Sequence, residues 1–144
     1  MPGGWSAQLD RARRWHARLQ LAASPTDRYD FLFAFFENAF HLRDWLADSG
    51  AVKQSDLDAF IESSAEMRLC RDLANSHKHH TIRSPSQPAP PSEALEYDPS
   101  GGNLGNGTSV VILSDGTKWD ALELASAVMR KWDGFVEGER PGAA

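Results

Sequence analysis

The sequence predicts a mainly α-helical single domain: a bundle of four main helices with a short β-strand or hairpin before the last one. The prediction rests on three observations. Apolar residues recur at three- and four-residue steps near both ends of the chain, the spacing of one helix face. Residues 25–48 are apolar almost all round and open on a cap-like SPTD. One run, VVIL at 110–113, leads into a Ser-Asp-Gly turn as a strand does.

In order, Trp5, Leu9, Ala12, Trp15 and Leu19 define a first amphipathic helix over about residues 5–22. Arg11, Arg13, Arg14, His16 and Arg18 form its basic outer side, most simply a solvated face, alternatively a guide for RNA. Ser24 caps and Pro25 opens a second helix over about 25–48, which Gly50 ends. Its core, YDFLFAFFENAFHLRDWL, belongs at the centre of a bundle or in an oligomer interface. A third helix over about 55–81 starts from Ser55 or Asp56, with Leu57, Phe60, Ile61, Leu69, Cys70 and Leu73 as apolar contacts. Residues 83–107, rich in Pro, Ser, Gly and Asn, read as a long loop. A strand over about 109–113 and a helix over about 120–136, capped by Asp120, complete the domain.

With 144 residues, 41% hydrophobic and 24% charged, the chain has the make-up of a soluble globular domain with one core. A net charge of −5 argues against a protein that coats nucleic acid, although a local basic site is compatible with it. One cysteine excludes an internal disulfide framework and a cysteine-based zinc site. The opening MPGGWSAQLDRARRWH lacks an apolar core of signal-peptide length, and nowhere do about 18 uncharged apolar residues run together. The expectation is a cytoplasmic protein with no membrane partner.

Chemistry concentrates in RLCRDLANSHKHH, Arg68 to His80. No other segment collects as many groups able to hold a phosphate or move a proton near neutral pH. Arg68, Arg71, Asn75 and Lys78 recur at three- and four-residue steps and form one row. On the second helix Glu37, His41 and Asp44, at i, i+4 and i+7, form another, set among phenylalanines and therefore in need of partners if buried. Antiparallel packing would let Glu37 and Asp44 pair with Arg71 and its neighbours. The two rows read equally as a site and as a structural ion-pair network. His77 continues the apolar stripe of Leu69 and Leu73, about 120° around the helix from Arg71. Both touch one ligand only if the helix end distorts or a second subunit contributes.

Arg71, Asp72 and His77, with five residues between the Arg and the His, resemble the signature of the HEPN superfamily, small all-α bundles carrying an Arg, a polar residue directly after it and a His farther along one helix. The pairing of FFENAFHLRDWL with CRDLANSHKH, then a strand, an Asp-Gly turn and a last helix, is also similar to a group of bacterial proteins over residues 31–135. The β element departs from simple HEPN bundles. The resemblance implies a homodimeric, metal-independent endoribonuclease of a toxin or defence type, with RNA as substrate, an antitoxin or other partner protein, and no cofactor. It implies that Arg71 holds the scissile phosphate, His77 moves the proton and Asp72 orients either one. Arg68, Asn75, Lys78 and His79 would contact the RNA backbone, with Glu37, His41 and Asp44 as a supporting network.

Two other readings stay open. The all-round apolar second helix, the five Trp and the segment RSPSQPAPPSE suit a non-catalytic module that dimerises or binds a protein. Glu37, His41 and Asp44 with His77 or His79 supply metal-ligand types, but the paired Glu-x-x-His pattern of di-metal bundles is missing.

Overall fold

A computed structural model describes the backbone of residues 4–79, 94–98, 110–113 and 118–139 and the side chains of residues 4–75 and 118–138. The elements run α1 (Trp5–Gln20), α2 (Pro25–Asp48), α3 (Gln54–Glu62), α4 (Ala65–His79), β1 (Ala94–Asp98), β2 (Val110–Leu113), β3 (Lys118–Asp120) and α5 (Ala121–Glu139). The molecule is mainly helical, a bundle built around α2.

α2 is the axle of the bundle because its sequence buries more than one side. The Ser24 hydroxyl accepts from the Asp27 amide at 3.1 Å, Pro25 supplies a preset φ, and Asp27 complements the positive end of the helix dipole. Leu32, Phe35, Phe36, Ala39, Leu42 and Leu46 are all fully buried. α2 packs against α1, α3, α4 and α5. It ends where the Ser49 hydroxyl donates to the Leu46 carbonyl at 2.8 Å and Gly50 takes φ +74°, a left-handed conformation that costs glycine no steric clash.

The helix expected over residues 55–81 is two helices, so the bundle has five rather than four among the described residues. The break falls on Ser63 and Ser64. The Ser63 hydroxyl donates to the Phe60 carbonyl at 2.6 Å, and the Ser64 hydroxyl accepts from the Met67 amide at 3.3 Å, starting α4 afresh. Serine side chains that bond locally to the backbone compete with a continuous helix in this way. α1 stops at Gln20 rather than 22, and α5 runs to Glu139 rather than 136. The Asp120 carboxylate caps α5 by accepting from the Glu123 amide at 2.8 Å.

β1 lies inside the stretch 83–107 expected to be a loop; the rest of that stretch is outside the described residues. Its Leu95 and Tyr97 suit a strand, but Pro and Gly on both sides dominate the composition. The three strands form an antiparallel sheet in the order β1-β2-β3, with Tyr97 opposite Val111 and Val111 opposite Trp119.

α5 closes the bundle. Its Trp132 is fully buried and packs on Phe60 with ring centroids 4.9 Å apart, while Phe135 stacks on the same Phe60 ring at 4.3 Å. The Trp132 indole Nε1 is buried and has no hydrogen-bond acceptor. α5 also meets α1, where Arg13 Nη2 and Asp133 Oδ1 are 2.5 Å apart. His16 belongs to this seam and not to a solvated face. Its Nε2 is 2.9 Å from the Ser126 hydroxyl, and its ring packs on Phe35. Burial, followed by the nearby Arg130 charge, pushes its pKa below the ordinary 6.5.

Candidate functional site

α4 buries Met67, Leu69, Cys70, Leu73 and Ala74, and the capping hydroxyl of Ser64 fixes where that stripe begins. Cys70 is fully enclosed, 3.7 Å from the Phe36 carbonyl oxygen, and burial above all raises its thiol pKa far out of the reactive range. The polar row of the same helix divides into two groups with different roles.

Arg68 and Arg71 turn back to the end of α3. Arg68 Nη1 donates to the Glu62 main-chain oxygen at 3.0 Å, and Arg71 Nη1 donates to the Glu62 carboxylate. Cations are favoured at the carbonyl end of a helix, which carries partial negative charge and unsatisfied acceptors. Arg71 Nε also donates to Asp72 Oδ1 at 3.4 Å. The Arg71 side chain is 19% exposed and that of Asp72 6%. Arg71 itself pairs with neither Glu37 nor Asp44; the break at Ser63 and Ser64 brings Glu62 within its reach.

Asn75 faces the other way, toward α2. With Ala74 it forms one wall of a cleft of about 540 Å³ whose opposite wall is Glu37, Phe40, His41, Arg43 and Asp44. The i, i+4, i+7 row of α2 and part of the α4 row are therefore brought together. His41 and Asp44 are exposed and Glu37 is half-buried, while Phe33, Phe35 and Phe36 are buried and Phe40 alone of these phenylalanines shares the cleft wall. Among the described residues no three His, Cys, Asp or Glu side chains are gathered as metal ligands.

The side chains of His77, Lys78 and His79 lie outside the described residues, but their backbone is α4. The helix is uninterrupted from Ala65 to His79, so the backbone does not distort between Arg71 and His77 and their α-carbons stay about 120° apart around the axis. The α-carbon of Lys78 falls on the helix face between those of Ala74 and Asn75, the cleft side.

Sequence reasoning passed over Arg43. Its guanidinium carbon lies 4.6 Å from the centroid of the Phe40 ring, and Nη2 and Nη1 are 3.4 and 3.8 Å from Asp44 and Asp58. Nε is buried without an acceptor. Two steps from His41, Arg43 is off the i, i+4 row, and only the packing of α4 beside α2 shows that it lines the cleft.

Fold and site together define a helical-bundle protein with a solvent-open polar cleft between its central helix and α4. Compared with protein-family models, curated proteins and solved structures, the chain matches none. No helix among the described residues is long and apolar enough to cross a membrane.

Proposed function

We propose that this chain is a HEPN-like protein that cleaves RNA without a metal, as a symmetric dimer of a toxin or defence type. The observation that supports the reading is the convergence of Glu37, His41 and Asp44 with Asn75 in one open cleft, beside an α4 that carries Arg71 and His77 on separate faces. A second subunit is then the means of bringing an Arg71 and a His77 to one phosphodiester. Neutral His77 accepts the ribose 2′-hydroxyl proton as the 2′-oxygen attacks phosphorus, the P–O5′ bond breaks and the departing 5′-oxygen takes a proton from water, leaving a 2′,3′-cyclic phosphate and a 5′-hydroxyl. Arg71, held by Asp72, stabilises the charge that develops on the phosphoryl oxygens, exchanging its Glu62 contact for the substrate. Asn75, Lys78 and His79 hold the strand.

The test is cleavage of single-stranded RNA in chelator, with the oligomeric state measured by light scattering. Arg71→Ala and His77→Ala should each lower kcat by about 10²-fold or more. Undiminished cleavage in both variants overturns the reading, and a strict monomer removes its geometric basis.

A second reading draws on the ion pairs of Arg71. An arginine spent on Glu62 and Asp72 suits a non-catalytic module that dimerises or binds a partner protein. Under it, the wild-type protein leaves RNA intact and Arg71→Ala shows only a loss of stability.

A further inference from the structure

Arg43 has hydrogen-bonding capacity that the fold leaves unused. Of its five N–H donors one makes a hydrogen bond, a long one of 3.4 Å to Asp44. The Asp58 carboxylate is 3.8 Å away, beyond hydrogen-bond reach, and its Oδ1 is already taken by Gln54 Nε2 at 2.9 Å. Nε is buried with nothing to donate to, a costly state for a charged group. The Phe40 ring supports the guanidinium plane from one side, and its side chain remains 29% exposed on the wall of the cleft. Arg71 is the contrasting case, since its Nη1 and Nε both donate to carboxylates.

From this contrast we infer that Arg43 is the residue by which the cleft holds a phosphate group of its ligand before any chemistry occurs. The inference rests on the reading above in taking that phosphate to be part of RNA. A planar fork already braced on an aromatic ring loses little freedom on meeting two phosphate oxygens, which gives it the advantage over a lysine at the same place. Glu37 and Asp44 on the same wall weaken the hold on inorganic phosphate without abolishing it, and favour a ligand that brings donors with its charge. A ribose with its 2′-hydroxyl does so and a deoxyribose does not. Arg43 thus sets ground-state affinity, and Arg71 is left for the transition state.

Two measurements test this on the full chain. Inorganic phosphate, titrated against chloride at matched ionic strength, should shift the Arg43 side-chain Nε–Hε resonance in nitrogen–proton spectra. Binding of a single-stranded oligoribonucleotide should weaken about tenfold or more in both Arg43→Gln and Arg43→Lys, with kcat nearly unchanged at saturation. The same oligomer as DNA should bind more weakly than the RNA. The lysine variant keeps the charge and, with an unchanged melting temperature, separates binding from folding. Absence of a phosphate-induced shift overturns the inference, as does wild-type RNA affinity in Arg43→Lys. If phosphate shifts Arg43 while no RNA binds, the anion site stands and the ribonuclease reading falls.

Discussion

Arg71 on α4 and Glu62 at the end of α3 form an ion pair across a two-residue break, so a residue expected to face a ligand also locks a helix junction. The Glu62 side chain is 56% exposed, and exposed pairs contribute about 0–1 kcal/mol. Glu62→Gln should therefore lower stability by no more than about 1 kcal/mol. Arg71→Ala also removes the contact to the nearly buried Asp72 carboxylate and should cost about 1–3 kcal/mol. Urea denaturation of both variants checks the order; equal losses would show that Asp72 gains nothing from Arg71.

His16 should make stability depend on pH. The unfolded imidazole titrates near 6.5 and the folded one lower, so on acidification the unfolded chain takes up the proton first. This contribution is complete above 6.5 and is lost as pH falls from there through the folded pKa. The wild-type urea midpoint should drop between pH 7.5 and 5.5 by more than that of His16→Gln. Arg130→Gln, which removes the second cause of the lowered pKa, should reduce the wild-type drop.

Cys70 should be inert in the folded protein. Its enclosure and raised thiol pKa leave neither access nor thiolate, so a disulfide reagent at pH 8 should react only after unfolding. Labelling rates that follow urea-induced unfolding fit this; stoichiometric labelling of native protein within seconds does not.

Gln8 is a buried polar residue whose amide nitrogen donates to the Asn38 main-chain oxygen at 2.8 Å and lies 3.2 Å from the Asn38 side-chain oxygen. Gln8→Leu exchanges these bonds for apolar burial and should cost about 1 kcal/mol. Gln8→Glu keeps the acceptor that Arg11 Nη1 donates to but loses both bonds to Asn38, so its loss should match that of the Asn38 contacts alone in urea denaturation.

The helical bundle was legible because helix periodicity, the Ser24–Pro25 start and the Gly50 stop are local signals. The break at Ser63 and Ser64 was less so, since the apolar steps from Leu57 to Leu73 run past it and only the hydroxyl bonds reveal it. On the site, face geometry puts Glu37, His41 and Asp44 on one row of α2 and Asn75 on a row of α4, but neither their exposure nor the turn of Arg68 and Arg71 toward Glu62 follows from it. Which carboxylate Arg71 meets depends on the angle between α3 and α4, and His16 turns inward because α5 arrives beside α1 from over a hundred positions away. Neither fact has a counterpart in local sequence spacing.

The seam between α1 and α5 bears on how the protein is made. A ribosome delivers α1 well before α5, since the partners Arg13 and Asp133 are 120 positions apart. Until α5 emerges, Phe60 lacks both of its aromatic neighbours, Trp132 and Phe135. A nascent chain ending before α5 thus presents an open apolar groove, the kind of surface that chaperones hold and neighbouring chains stick to. Docking of α5 is what covers that groove, so the apolar face around Phe60 leaves solvent only once the C-terminal helix has been made.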